Sequence, residues 1–428
     1  MLKQIPEYAD FNPAKEVLWC KKPGTGSVDA PRGFHLKLAK VTRGECNLVP
    51  TKTDGELLTL RTGGELKAIL AIHVDDLKFA GDKDTIQWIV DKLQSVFGNL
   101  IVQWHNFTNC GIRHTQDPTT MEITLDQFAY VAAIKNIQHP AIKGAKLDDI
   151  VPMDLFEQFR SSRGAVAYAL LTRADVSVYV VYLQRQSEKT TTFKHIKMLS
   201  IVINRIRTDP VSLTYKYLGK ETYFLVFSDA AFKKEESTGH ALKGTLICRV
   251  STTANLDRSR MEPGQKSEPV RVHLIDFMTK RVSNVTRSTF SAELFSVCDA
   301  GDYAILLRQI VHEFTVGPLG TTDARSMTEG VVRSPVRIEL LVDAMSVFAA
   351  VTASNIKVPR EKSLLGHLQY LREKIDRRVF EALIWCDTRD MAADGLTKGS
   401  IDRSQIVDIM NGSLLMQCNT QTSAGHRY

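Results

Sequence analysis

Apolar spacing along the chain predicts two strands at residues 66–74 (LKAILAIHV) and 77–80 (LKFA), meeting at Asp75 and Asp76. GDKDTIQWIVDKLQSVFG follows, with Ile86, Ile89, Val90, Leu93, Val96 and Phe97 at helical spacing. Asp82 or Asp84 can cap the start of that helix, and Gly98 stands where it should stop. Short strands are expected around 101–106, 110–114 and 121–125, the last two divided by the turn signal QDPTT, with a helix from Asp126. Residues 160–184 and 191–207 read as two helices. Outside its apolar stripe the second carries Lys194, His195, Lys197, Arg205 and Arg207. Such a basic face is ordinarily just solvated, and phosphate tracking is the minority reading.

After DPVSLTYKYLGKE the pattern changes. YFLVFSDAAF is a strand ending at Asp229, and HALKGTLICRV suits its hairpin partner. Residues 251–270 are polar and loop-like; HLIDFMTK is a further strand. STFSAELFSVCDAGDYAILLRQIVHEF forms a long helix with Glu293 in its first turns. A polar link over 315–335 precedes the strand RIELLVD, which ends at Asp343, and the helix SVFAAVTAS. SLLGHLQYLREKI is helical, EALIWCD is a strand, and TRDMAADGLTKGS carries Asp394. The stretch past about 412 has little periodicity and is expected to fray.

A chain of 428 residues has room for two or three domains. Its 43% apolar and 24% charged residues are ordinary for a soluble protein. No stretch approaches the ~20 apolar residues of a membrane helix, and MLKQIPEYADFNPAKE lacks the apolar core of a signal peptide. Seven cysteines are scattered without a C-x-x-C pair, which argues against a zinc ribbon or disulfide framework. The expected setting is therefore cytoplasmic or nuclear. A net charge of +7 permits nucleic-acid binding without demanding it.

Two groups of acids stand out. Neighbouring carboxylates such as Asp75 and Asp76 call either for a cation or for simple exposure at a hairpin tip. Asp229 and Asp343 end strands, Glu293 lies early in a helix, and Asp394 opens a short segment. Acids at strand ends in an α/β sheet gather at one edge. Four of them would hold two hard divalent cations about 4 Å apart, an arrangement suited to phosphodiester cleavage. With 48 acidic residues in the chain, spacing alone leaves accidental quartets open. Glu293 could be an ordinary first-turn acid, Asp343 a helix cap and Asp394 a turn residue. His367 reads as a packed helix residue, His195 as surface, and Trp88, Trp104 and Trp385 as core.

VFSDAAF, STFSAEL, ELLVDAMSVFAA and RDMAADGLTKG, in that order, resemble the successive signatures of the ribonuclease H domain of Ty1/copia-type retrotransposon Pol polyproteins. The resemblance carries that family's metal-binding acids onto Asp229, Glu293, Asp343 and Asp394. It implies two Mg²⁺ ions there, with Mn²⁺ an alternative, and hydrolysis of RNA in an RNA–DNA hybrid. LREKI resembles the helix before the last strand of these domains. Upstream, AIHVDDLKFAG resembles the Y-V-D-D hairpin of a reverse transcriptase palm, with His73 in place of tyrosine, and makes Asp75 and Asp76 polymerase metal ligands. CKKPGTGSVDAPRGF resembles a worn L-Y-G-L-K-Q-A-P-R-x-W segment that keeps Ala30, Pro31 and Arg32. FRSSRGAVAYALLTRADVSVYVVYLQRQ resembles the region joining polymerase to ribonuclease H.

The implied fold is α/β and α+β: a partial palm over 1–130, a helical connection over 131–218, a ribonuclease H-like mixed sheet flanked by helices over 219–400, and a tail over 401–428. The family's third palm aspartate, in a D-V-x-x-A-F-L context ahead of A-P-R, has no counterpart here, so the resemblance implies negligible polymerisation by this chain alone. The missing N-terminal part of Pol would then be a partner, beside the nucleic acid itself. In the later half, Ala231 and Phe232 replace an aspartate and a tryptophan of the family pattern, KSLLG replaces K-H-I, and loop 251–270 is long. A non-catalytic Pol fragment that only binds nucleic acid is the competing reading. Protease (D-S/T-G) and integrase zinc motifs are absent from the sequence.

Overall fold

The computed structural model describes residues 6, 10–17, 27–232, 241–256 and 267–424. Two units, 1–101 and 102–428, each hold together by their own contacts. In the first, helix α1 (Ala30–Ala39) runs on as a π-helix over Lys40–Glu45. Strands β1 (Val49–Pro50), β2 (Leu57–Thr62), β3 (Glu65–His73) and β4 (Asp76–Gly81) form an antiparallel sheet in sequence order. Helix α2 (Lys83–Phe97) follows, capped at its start by Asp82, whose side chain accepts from the Thr85 N–H, and closed at Gly98 with φ 86°. Ile86, Ile89, Val90 and Leu93 are its buried face, as the spacing predicts. Trp88, expected in a core, is instead 41% exposed on the other face.

The second unit begins with β5 (Asn106–Asn109), β6 (Ile112–Gln116) and β7 (Ile123–Asp126), which pair in an antiparallel sheet completed by β8 (Leu213–Tyr215). The first of these strands lies later than the expected 101–106. Between β7 and β8 run helices α3 (Phe128–Ala133), α4 (Met153–Ala169), α5 (Ser177–Gln184) and α6 (Phe193–Thr208). Phe159, Val166, Leu183, Ile196, Leu199 and Ile203 are central to their common core.

Here the structure corrects two expectations. Residues 160–184 are not one helix, because the chain breaks between α4 and α5 at Thr172-Arg173-Ala174-Asp175. The Arg173 guanidinium makes two bonds to the Asp175 carboxylate and donates to the carbonyls of Ile206 and Asp209. A buried ion pair so placed needs every donor matched, and the helix break brings the partners together. His195 is not on the surface either. It is the third residue of α6, buried, and its Nδ1 accepts the Thr192 N–H at 2.9 Å in a reciprocal cap. Burial and neighbouring Lys194 hold its pKa below the ordinary histidine value.

The remaining strands form one seven-stranded mixed sheet: β9 (Thr222–Ala231), β10 (Leu242–Ser251), β11 (Val270–Arg281), β12 (Ile338–Val342), β13 (Ala382–Cys386), β14 (Ser413–Leu414) and β15 (Thr420–Ala424). Their order across it is β14-β11-β10-β9-β12-β13-β15. β12 runs parallel to both β9 and β13, and every other pair is antiparallel. β9 is buried along nearly its whole length because both of its faces are covered. Phe224 and Val226 pack under α7 (Thr289–Thr315), α9 (Met345–Thr352) and α10 (Leu365–Asp376), the elements joining β11 to β12 and β12 to β13. Tyr223, Leu225 and Phe227 face a second core with Leu396, Ile406 and Ile409, from α11 (Asp394–Thr397) and α12 (Ser404–Met410).

Three further expectations change. The link 315–335 contains α8 (Thr321–Thr328), tied to α7 through Gln309, which donates to the Ala324 carbonyl. The long loop 251–270 lies in part, at 257–266, outside the described residues, as does the start of the A-P-R segment. The end of the chain does not fray through 424. Leu414 and Met416 are buried, and Asp390 accepts the backbone N–H groups of Gln417 and Cys418, which leads β15 onto β13. Among the described residues no helix is long and apolar enough to cross a membrane.

Candidate metal centre

Strand pairing brings the acids together. In the parallel pair β9–β12, Phe227 stands opposite Leu341, so Asp229 and Asp343, each two residues further on, arrive side by side. Asp394 reaches them from the turn after β13, where α11 lies against β10 and β9. That approach depends on Gly244, the partner of Asp229 across the β9–β10 ladder. A Cβ on Gly244 would stand 2.8 Å from both Leu396 Cβ and Thr397 Cγ2, and 3.0 Å from the Ala393 carbonyl oxygen.

Asp229, Asp343 and Asp394 each offer an oxygen within 4.8 Å of the others. Asp229 is fully buried, Asp394 nearly so, and Asp343 half-buried. Each is held in place. The Thr397 hydroxyl donates to Asp229 Oδ2 and the Thr388 hydroxyl to Asp343 Oδ2, the latter at 2.9 Å. Trp385, half-buried beside the core, donates its indole N–H to the Asp343 carbonyl at 2.8 Å. Ser296 of α7 donates to the Asp229 carbonyl at 3.0 Å and accepts from Ser228, pinning the helix to β9 at the site.

Glu293, one turn before Ser296, is not within the 4.8 Å group but shares its field. Burial, then the charges of Asp229 and Asp343, push its pKa from 4.5 to about 9, against a hydrogen bond from the Ala230 N–H. Its Oε2 is buried with no hydrogen-bond partner. Burial and Asp229 raise Asp394 from 3.8 to about 7, and the same two causes raise Asp343.

Lys398 is a charged residue of the site that spacing does not single out. Its ammonium donates to Asp394 Oδ1 at 2.6 Å and to Asp229 Oδ1 at 3.3 Å. Burial works against that charge, but Asp229 and Asp394 outweigh it and raise the lysine's pKa. The signal was present in GLTKG: a lysine four residues past an acid lies on the same side of a helical turn. Oxygen-only donors, a surplus of negative charge and an orphaned carboxylate oxygen fit a hard divalent cation.

Asp75 and Asp76 belong to the first unit. His73 pairs with Asp76, leaving Val74 and Asp75 as a two-residue hairpin loop, with Val74 at φ 57°. Positive φ at the first loop position alone matches a type II′ turn, where glycine is the usual occupant. Both aspartates are exposed, and no third potential ligand joins them among the described residues. His367 packs its ring edge-on against Phe295, and its Nδ1 is buried without a partner.

Comparison with known proteins adds no assignment. No protein-family model and no curated protein matches the chain.

Proposed function

We propose that the seven-stranded sheet and its helices form a ribonuclease H-type hydrolase of the Ty1/copia Pol kind, cutting the RNA strand of an RNA–DNA hybrid. The observation that carries this reading is the convergence of Asp229 and Asp343, at adjoining strand ends, with Asp394 of α11, and with Glu293 sharing their field. A mixed sheet flanked by helices, bearing acids in that order, is what the resemblance calls for. Asp229, Asp343 and Glu293 would hold the metals, and Asp394 would complete the shell. Bound Mg²⁺ would supply Lewis-acid activation of water and stabilisation of the leaving oxygen.

The chain's own groups do the rest. Thr397 and Thr388 fix the two carboxylates by one oxygen each, so their other oxygens keep a set direction. Asp394, carried on α11 and held by Lys398, would orient the attacking water. Recognition of the hybrid would rest on phosphates and 2′-hydroxyls. The first unit reads on the same resemblance as a palm fragment. Its two aspartates are exposed, and among the described residues no third potential ligand joins them.

The test is cleavage of a labelled RNA–DNA hybrid in Mg²⁺ and in EDTA, with Asp343→Asn alongside. Cutting that needs metal and is lost in the variant is expected. A folded, metal-loaded chain that cuts nothing would leave a non-catalytic nucleic-acid-binding fragment as the reading.

A further inference from the structure

We propose that the Lys398 ammonium is the resident cation of this centre, and that a divalent metal binds by displacing it. The inference rests on the reading of Asp229, Asp343 and Asp394 as metal ligands. Lys398 then sets how tightly metal is held, and it keeps the cluster of acids tolerable when metal is scarce.

The geometry makes the lysine a competitor rather than a neighbour. Its Nζ bonds Asp229 Oδ1 and Asp394 Oδ1, while Asp229 Oδ2 is already taken by the Thr397 hydroxyl. The Asp229 oxygen left for a metal is therefore one the lysine uses, and so is one of the two on Asp394. An ammonium and a divalent ion sharing them would repel strongly in so poorly hydrated a place.

The side chain is also built to leave. Lys398 lies just past α11 in extended backbone (φ −115°, ψ 116°), and its side chain is 34% exposed. Arg403 donates to the Lys398 carbonyl at 2.8 Å, so the main chain stays anchored while the flexible stem swings out. Departure of the ammonium leaves Asp229 oriented by Thr397. It also uncovers two neighbouring acids with which another cation can pair. No other lysine or arginine ion pair reaches these acids among the described residues.

The experiment uses the full metal-free chain and titrates Mn²⁺ calorimetrically into wild type, Lys398→Met and Asp343→Asn. Lys398→Met is expected to bind Mn²⁺ roughly tenfold more tightly, to melt lower without metal, and to gain more in Tm when metal is added. Lys398→Arg, which keeps the charge, is expected not to tighten binding. If the methionine variant does not fold, Lys398→Gln carries the same expectation. A folded Lys398→Met that binds Mn²⁺ no better than wild type overturns the proposal while leaving the metal centre intact. If wild type, Lys398→Met and Lys398→Gln all bind none, the metal reading falls and the proposal with it. Binding that appears only once the lysine is neutralised, and is lost again on adding Asp343→Asn, supports both.

Discussion

Glu293 lies among other acids and away from water, so its pKa of about 9 stands well above the 4.5 of a free glutamate. A carboxyl whose folded pKa is raised contributes stability below its unfolded pKa and loses it as pH climbs toward the folded one. The metal-free protein is thus expected to lose stability from about pH 5 to pH 9. Melting in EDTA at pH 5.5, 7 and 8.5 should show Tm falling more steeply in wild type than in Glu293→Gln; equal slopes would remove Glu293 as the cause. Val74 raises a different residue-level question. A left-handed conformation costs an L-residue roughly 1–2 kcal/mol, of which glycine's extra freedom when unfolded takes back about 0.5–1. Val74→Gly should therefore steady the hairpin by about 0.5–1 kcal/mol, read as slower amide exchange across 65–81. The paired aspartates there were legible, but Val74's backbone was not, since V-D-D has no Gly or Asn to mark positive φ. Lys398 was legible only as part of a motif, because its importance lies in what its stem reaches.

Among elements, α11 depends most on its neighbour. Gly244→Ala would push this four-residue turn off the sheet and carry Asp394 with it. A cost of about 1–3 kcal/mol is expected from the overpacking, together with weaker Mn²⁺ binding. Unchanged affinity in a destabilised variant would mean that α11 yields without moving its acid. Strands and helices with a clean period, such as β3, α2, β12 and α10, stand close to where apolar spacing puts them. Those that differ do so for reasons carried by distant partners. The break before α5 answers to carbonyls at Ile206 and Asp209, more than thirty residues away, and the burial of His195 to its role in capping its own helix. Periodicity is blind to both.

For the second unit as a whole, the C-terminal segment matters more than its composition suggests. β14 borders β11 and β15 borders β13, so residues 413–424 supply both outermost strands of the large sheet. Removing everything after Asn411 would bare two ladders of backbone donors and acceptors and unseat Leu414 and Met416. The shortened chain is expected to aggregate and to melt lower, by light scattering and calorimetry, with its acids unaltered. A monomeric product of unchanged Tm would make those strands ornamental. Periodicity predicts a loose end here because two short runs anchored by Asp390 leave almost no pattern.

The alignment of β12 beside β9 has one further consequence. Asp229 meets Asp343 because each is two steps past a shared rung, and alternate steps face opposite ways. The centre is therefore encoded by parity. Side chains along both segments can be exchanged for others of like size while the two acids go on facing each other. A single added residue between Leu341 and Asp343 would turn that acid to the far side, whereas two would turn it back. Drift in spelling is cheap for such a site, and drift in count is not.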